Sequence, residues 1–192
     1  MENNLRLALV IGSTREGRFG PTVADWFAPI ARLHADFDLD VIDVAALELP
    51  DVHPDWGTEP TPGLTALRAR VEAADAYVVL TPEYNHSYPA HLKHFIDLHH
   101  SEWRAKPVGF VSYGGQAGGL RAVEHLRQIF AELHCVTVRD VVSFHSAWDH
   151  FGEGGRADDP AGAAGAAKVL LDQLAWWGRT LHEGRAARPY GN

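Results

Sequence analysis

The chain has 192 residues, of which 46% are hydrophobic and 22% are charged. This composition is ordinary for one globular domain and argues against global disorder. The formal net charge of −8 argues against a general role in nucleic-acid binding. Cys135 is the single cysteine, so no internal disulfide can form, which is consistent with a cytoplasmic protein. We expect neither a signal peptide nor a membrane span, because the N-terminal residues are acidic and the apolar runs are short.

Short apolar runs and amphipathic segments alternate along the chain. The first run, 5–11, is apolar throughout, as in a strand that is covered on both faces. Residues 37–44 alternate apolar and acidic side chains, which favours an edge strand, and the proline-rich segment 51–62 is predicted to be a loop ordered around Trp56. The predicted strands are 5–11, 37–44, 76–80, 108–111 and 136–144, and the predicted helices are one opened by Pro21, 64–73, one opened by Pro89, 120–133 and 161–182.

Five strands that alternate with helices predict a three-layer α/β fold. Right-handed crossovers then place helices on both faces of one sheet. We expect a single domain over residues 1–185 and a frayed tail at 186–192. The polar, glycine-rich stretch 149–160 is predicted to be a loop.

Three of the predicted strands run directly into polar or glycine-rich loops. The first loop is 12–18, the second begins at 81–85, and the third begins at 112–115. In an open parallel sheet, ligands bind beyond the carboxyl ends of the strands, where the strand order reverses. The recurrence of such loops after three strands therefore predicts one shared ligand site at that end of the sheet.

The first loop has the composition of an anion site. A strand that enters a helix through Gly12-Ser13-Thr14-Arg15 points backbone N–H groups and the positive end of the helix dipole at one place. Arg15 and Arg18 add positive charge. The loop is neither a dinucleotide fingerprint nor a P-loop, because it lacks both Gly-x-Gly-x-x-Gly and Gly-Lys-Ser/Thr. Taken alone, it is equally compatible with a plain strand–helix connection that carries exposed arginines.

The second and third loops suit a flat ligand. Pro82 and Pro89 bracket a polar aromatic segment and hold it stiff. The third loop, 112–119, contains four glycines, which let a backbone approach a ligand without interference from a Cβ atom. The alternatives are an ordinary loop with a structural tyrosine and a flexible turn.

Together these segments resemble the NAD(P)H-dependent FMN reductases, a family with the flavodoxin-like fold. The family's first loop reads Gly-Ser-x-Arg, as residues 12–15 do, and its Ser/Tyr/Gly-Gly turn is matched by 112–115. Its motif Pro-Glu-Tyr-Asn-x-Ser-x-Pro-Gly-x-Leu-Lys-Asn-x-x-Asp is matched by 82–97, with Ala90 for the glycine and His94 for the last asparagine. The resemblance implies a five-stranded parallel sheet of order 2-1-3-4-5.

The resemblance also implies a role for each loop in holding FMN. The first loop would bind the phosphate, the second would line the isoalloxazine edge, and the third would flank the ring and the ribityl chain. Gly17 and Gly20 stand where many relatives have a Ser-x-Asn pair, so Arg18 or backbone groups would have to compensate. The implied cofactor-binding residues are Ser13, Arg15, Arg18, Pro82, Glu83, Tyr84, Asn85, Ser112, Tyr113, Gly114 and Gly115.

The implied function is transfer of hydride from NADPH or NADH, through bound FMN, to a flavin, a quinone or a similar small acceptor. No catalytic residue is nominated, because the flavin carries the reaction. The resemblance further implies a homodimer or homotetramer with no nucleic-acid or membrane partner. Two alternatives stay open: a flavodoxin-type electron carrier that binds FMN without efficient NAD(P)H oxidation, and a flavin-free interaction domain on the same scaffold.

Several residues outside the loops are weaker candidates. The histidines of the segment 91–100 lack a complete set of metal ligands, so no metal site is predicted. Cys135 is interpreted as a small buried hydrophobe, and Trp176 and Trp177 as core or interface residues. The candidates for lining the pocket, each near the end of an element, are Trp103, Trp148 and His145.

Overall fold

The computed structural model describes residues 4–55, 57–152 and 160–191. Within these ranges strands and helices alternate, as predicted, and three short 3₁₀ turns lie between them at Val44–Ala46, Ser101–Trp103 and Ala147–Asp149. The strands are β1 (Leu5–Ile11), β2 (Phe37–Asp43), β3 (Ala76–Pro82), β4 (Pro107–Tyr113) and β5 (Val136–Phe144). The helices are α1 (Gly20–Leu33), α2 (Pro62–Ala73), α3 (Ala90–Asp97), α4 (Leu120–Glu132) and α5 (Pro160–Ala187).

The five strands form one parallel sheet in the order β2-β1-β3-β4-β5, which confirms the predicted topology. The strand order reverses between β1 and β3. In register, Ile11 pairs with Leu80, Pro82 with Tyr113, and Tyr113 with Phe144. The loops that follow β1, β3 and β4 therefore all leave the sheet at the carboxyl ends of its strands, next to the point where the strand order reverses.

The sheet separates two apolar cores. Leu7 and Leu9 of β1 face the core that contains α1 and α5, while Ala8 and Val10 face the core that contains α2, α3 and α4. This two-sided burial explains the unbroken apolar sequence of β1. β2 lies at an edge and is only partly covered, in agreement with its alternating pattern. Within the described part of the chain, no helix is long and apolar enough to span a membrane.

Several element ends differ from the prediction. β3 and β4 are each longer at the carboxyl end, because Thr81 pairs with Ser112 and Pro82 pairs with Tyr113. β2 ends one residue early, since the Asp43 carboxylate accepts a hydrogen bond from the backbone of Ala45 and starts a 3₁₀ turn. The helix α5 continues to Ala187, into the segment that was expected to fray.

Trp103, Trp176 and Trp177 differ from one another in burial, whereas Trp56 and most of the predicted loop 149–160 lie outside the described residues. Trp103 does not line a pocket, so that prediction is wrong. Its indole is fully buried, 4.6 Å from the ring centre of Tyr77, and donates a hydrogen bond to the Ile96 carbonyl. Trp177 packs against the core, whereas Trp176 is 61% exposed.

A lysine is buried at the amino end of the sheet. The Lys106 ammonium donates to the Glu72 carbonyl at 2.6 Å and to the Tyr77 hydroxyl at 3.1 Å. Burial, and then the nearby Arg185, lower the pKa of Lys106 to about 8. Burial also raises the pKa of the neighbouring Cys135 thiol to about 12, which keeps it protonated and agrees with its interpretation as a hydrophobe.

The stability of Lys106→Met relative to the wild type should be highest at neutral pH and should fall as the pH rises. Below pH 8 the lysine is charged in both states, and its buried charge opposes folding. As the pH rises from 8 towards the ordinary value of 10.5, the folded state releases its proton first, so the wild type gains stability relative to the variant. Urea unfolding of both proteins from pH 7 to pH 10 measures this difference. A difference that does not change with pH would contradict the assignment.

Candidate functional site at the carboxyl edge of the sheet

The first loop is tied to two neighbouring strands. The Gly12 N–H donates to the Leu80 carbonyl of β3 at 2.8 Å. Arg18 donates to both carboxylate oxygens of Asp43, at 2.6 and 2.5 Å, and to the Ser13 carbonyl at 2.9 Å. The hydrogen bond with Asp43 raises the pKa of Arg18. Arg18 therefore spans the loop and the end of β2, and its charge is already offset by a carboxylate.

Arg15 is the exposed arginine of the first loop. Its guanidinium carbon lies 6.0 Å from the ring centre of Tyr84 in the second loop, which is within the range of a cation–π contact. Among the described residues, no carboxylate pairs with it. Of the two arginines that were predicted to supply positive charge, Arg15 is therefore the one whose charge is open to a ligand.

Two buried hydroxyls meet beneath the first loop. A Cβ atom placed on Gly20 would lie 2.2 Å from the Ser13 Oγ and 3.1 Å from the Tyr113 Oη, so the three residues share one small space. Neither hydroxyl makes a hydrogen bond of standard geometry with any described residue. Burial raises the pKa of Tyr113 to about 12, against a smaller lowering by the Ser13 hydroxyl. Both groups are thus neutral donors near pH 7, and leaving them without a partner is costly.

The second loop turns back sharply at its tip. The backbone of Tyr84 exchanges two hydrogen bonds with that of Ser87, at 2.8 and 3.0 Å. The two residues between them, Asn85 and His86, have φ of 49° and 69°. This is a left-handed backbone conformation that residues other than glycine seldom adopt. Their N–H groups lie outside the two hydrogen bonds that close the turn. Strained residues of this kind are concentrated at ligand sites.

A charged contact from α4 holds the second loop. The Glu83 side chain is 8% exposed, and its Oε1 accepts a hydrogen bond of 2.5 Å from the Arg121 Nε. Arg121 also contacts the His86 ring at 2.8 Å, and His125 lies 3.0 Å from the Ser87 hydroxyl. The second oxygen of Glu83 is buried without a partner among the described residues. Arg121 was not among the predicted site residues, although its position next to the glycines of the third loop was a signal in the sequence.

The third loop is folded on itself and is not a flexible turn. The Gly118 carbonyl accepts hydrogen bonds from the hydroxyls of Ser112, at 2.8 Å, and Ser143, at 2.9 Å. The ring of His145 hydrogen-bonds the Gln116 carbonyl at 2.9 Å. Gly119 has φ of 84°, and a Cβ atom there would lie 2.8 Å from the Cβ of Ser112. Ser112 and His145 therefore shape the loop with the same groups that they would otherwise offer to a ligand.

The three loops meet one another in pairs. Arg15 lies over Tyr84, and Ser13 lies beside Tyr113. A Cβ atom on Gly114 would lie 3.8 Å from the Cβ of Glu83. The structure thus brings together all three sets of residues that the sequence singled out, around the point where the strand order reverses. Pro82 is buried at the end of β3, and Asn85 is exposed at the rim.

Several histidines of the segment 91–100 have structural partners. The His99 ring is buried and bonds the Phe95 carbonyl at 2.7 Å, and the His94 ring bonds the Pro50 carbonyl at 2.7 Å. Over the described ranges, no group of three or more histidines, cysteines or carboxylates is arranged to hold a metal ion.

Comparison with known proteins agrees with this geometry. Residues 5–149 match the model of the family described as NADPH-dependent FMN reductase. The chain belongs to this family. It is 33% identical over 129 residues to an NAD(P)H-dependent FMN reductase of Schizosaccharomyces pombe, an alignment that covers 59% of this chain and 60% of the relative. It is 32% identical over 145 residues to a quinone reductase of Escherichia coli, covering 72% and 76% of the two chains.

A solved structure shows the same fold as this member of the FMN reductase family. It is the flavoenzyme NAD(P)H:(acceptor) oxidoreductase of Paracoccus denitrificans, with a TM-score of 0.72 and 20% identity. The superposition covers 92% of this chain and 98% of the other.

The residues of the site fit FMN. The family's cofactor carries a phosphate, a polyol chain and a flat ring. Among the described residues, the buried hydroxyls of Ser13 and Tyr113 have no hydrogen-bond partner of standard geometry, as donors that are kept for a ligand would. Of the described residues, only Trp148 would contact a Cβ atom on Gly115, at 3.5 Å, so the space on that side of the loop is open to a ring.

Gly115→Val should lower FMN affinity by about tenfold or more without lowering stability, since its side chain enters the space assigned to the ring. Gly119→Ala should instead lower stability, because of its positive φ and its contact with Ser112. Gly165→Ala, in α5, has nothing within 4 Å and serves as the control. Flavin titration and thermal unfolding separate the three cases. Full FMN binding by the Gly115 variant would place the ring elsewhere.

Proposed function

We propose that this protein is an FMN-dependent NAD(P)H oxidoreductase that reduces a quinone-like small molecule. The observation that carries the proposal is the pairwise meeting of the three loops around buried hydroxyls that have no hydrogen-bond partner of standard geometry in the described part of the chain. Family membership supports the cofactor and the reductant. The names of the relatives, an FMN reductase and a quinone reductase, support the class of acceptor.

In this proposal the first loop holds the phosphate of FMN. The Ser13 hydroxyl donates to it from a buried position, and Arg15 supplies positive charge from the rim. In the described part of the chain no side chain caps the N-terminus of α1, so the N–H groups of Gly20 and Thr22 are open to a phosphate oxygen. Arg18 acts mainly by holding the loop to Asp43, which compensates for the side chains that Gly17 and Gly20 lack.

The second and third loops then hold the ring. Tyr84 and Asn85 border it on one side, and the backbone of Gly114 and Gly115 lies along the other. Bound FMN would supply the redox chemistry: it would take a hydride from NAD(P)H and return a hydride to the acceptor, which would take its second proton from solvent. The side chains bind and orient the reactants, and no general acid or base among them is required.

We also propose that the protein forms a homodimer or homotetramer, which the family resemblance supports. We propose a cytoplasmic location, with which the single cysteine is consistent. One domain over residues 1–185 is supported by the packing of α5 on the sheet. Leu170 and Leu174 fill the space above Gly109 of β4, where a Cβ atom would lie 2.7 Å from the first of them.

Arg15→Ala should weaken FMN binding by about 1.5–3 kcal/mol, the scale of a hydrogen bond to a charged group. Riboflavin lacks the phosphate, so its binding should hardly change. Arg139→Ala, at an exposed position five residues before the end of β5, is the control. Equal losses for FMN and riboflavin would show that Arg15 does not act through the phosphate.

Rapid mixing of the FMN-loaded protein with NADPH or NADH should bleach the flavin absorbance, and a quinone should restore it. Steady-state rates with both substrates should follow a ping-pong pattern, as expected when they use one site in turn. A flavodoxin-type carrier would instead be reduced only slowly by nicotinamide. Flavin that stays oxidised with both nucleotides would overturn the reductase assignment while leaving the fold and the FMN site intact.

A further inference from the structure

One large aromatic side chain at the site is exposed. Trp148 lies in the 3₁₀ turn Ala147–Asp149, directly after β5, and is 62% exposed. Its neighbours Ala147 and Phe151 are buried in the core. A tryptophan buries more apolar surface than almost any other residue when it is covered. Its exposure at this place therefore indicates that a bound molecule covers the indole.

The backbone under Trp148 is held firmly. The N–H groups of Ser146 and Ala147 donate to the carbonyls of Gly115, at 2.9 Å, and Gly114, at 3.0 Å. The Phe151 ring packs against Phe144 with ring centres 5.0 Å apart. Ser146 has φ of 45°, a strained conformation that the surrounding contacts maintain. The indole therefore projects from a fixed support, and its position relative to the third loop is defined.

The backbone under Trp148 places the indole next to the space that is assigned to the FMN ring. The Cη2 atom of Trp148 lies 3.5 Å from the position that a Cβ of Gly115 would take. Among the described residues, that side of Gly115 has no closer neighbour. An isoalloxazine ring that lies along Gly115 would thus have the indole next to its edge. A second aromatic molecule that stacks over the isoalloxazine ring could then also contact the indole.

We propose that Trp148 determines acceptor specificity by binding the second ring of a fused-ring quinone. The proposal rests on the proposed function, because it places the acceptor over the FMN ring. A single-ring quinone covers the reacting centre and ends before the indole. A fused, naphthoquinone-type acceptor extends past the flavin edge and packs against Trp148. Such an aromatic contact is worth about two- to tenfold in affinity beyond the buried area.

The test compares Trp148→Ala with the wild type, using 1,4-naphthoquinone and 1,4-benzoquinone as probes. Titration calorimetry of the oxidised, FMN-loaded proteins without nicotinamide should show weaker naphthoquinone binding in the variant, by about three- to tenfold, and unchanged benzoquinone binding. The kcat/KM for naphthoquinone should fall by a similar factor, while that for NAD(P)H stays constant. Trp148→Phe should recover part of the loss. Trp176→Ala, which removes an equally exposed tryptophan from α5, should change none of these values.

Three results would overturn the inference. Equal losses of affinity for the two quinones would mean that the indole does not distinguish a two-ring quinone from a single-ring quinone. A fall in FMN affinity of the same size would mean that Trp148 covers the cofactor, and no change at all would mean that it contacts neither. Failure of the proposed function is a separate result, since the wild-type protein itself would then remain oxidised with NADPH and NADH.

Discussion

The parallel register between β1, β3 and β4 is the constraint on which the site depends. Because Ile11 lies opposite Leu80 and Pro82 lies opposite Tyr113, the three polar loops begin at the same height above the sheet. A shift of one residue in any of these pairings would turn buried side chains to the opposite face. The two-sided apolar packing that sets the register is therefore also what brings Ser13 next to Tyr113.

The loops are shaped by contacts within the protein. Arg18 joins the first loop to Asp43, Arg121 joins the second to α4, and the Gly118 carbonyl receives the hydroxyls that close the third. A site held in this way loses little conformational freedom when a ligand binds, which favours affinity. Much of the polar chemistry at this edge thus serves to position the few groups that remain free.

The strands and the three loops could be predicted from the sequence because each depends on a local pattern, and the strand order was implied by the family resemblance that the loops carry. The unbroken apolar run of β1 and the glycines after β4 are signals of this kind. The partners of Arg18 and Glu83 could not be predicted, since these contacts join residues 25 and 38 positions apart in the chain. The prediction for Trp103 was wrong for a related reason. Its position at the end of an element gives no information on how deeply the side chain is buried, and the neighbouring aromatic rings cover it.

The two ends of the sheet differ in how their buried polar groups are satisfied. At the amino end, Lys106 and the Tyr77 hydroxyl bond each other and backbone carbonyls. At the carboxyl end, the side-chain oxygens of Ser13, Tyr113 and Glu83 are buried without standard partners among the described residues. Unpartnered nitrogens elsewhere, such as the Arg68 Nε, belong to groups that make other contacts. The free oxygens all come from the three loops. Since burying an oxygen without a partner opposes folding, their concentration there is best explained by a ligand that supplies the missing hydrogen bonds.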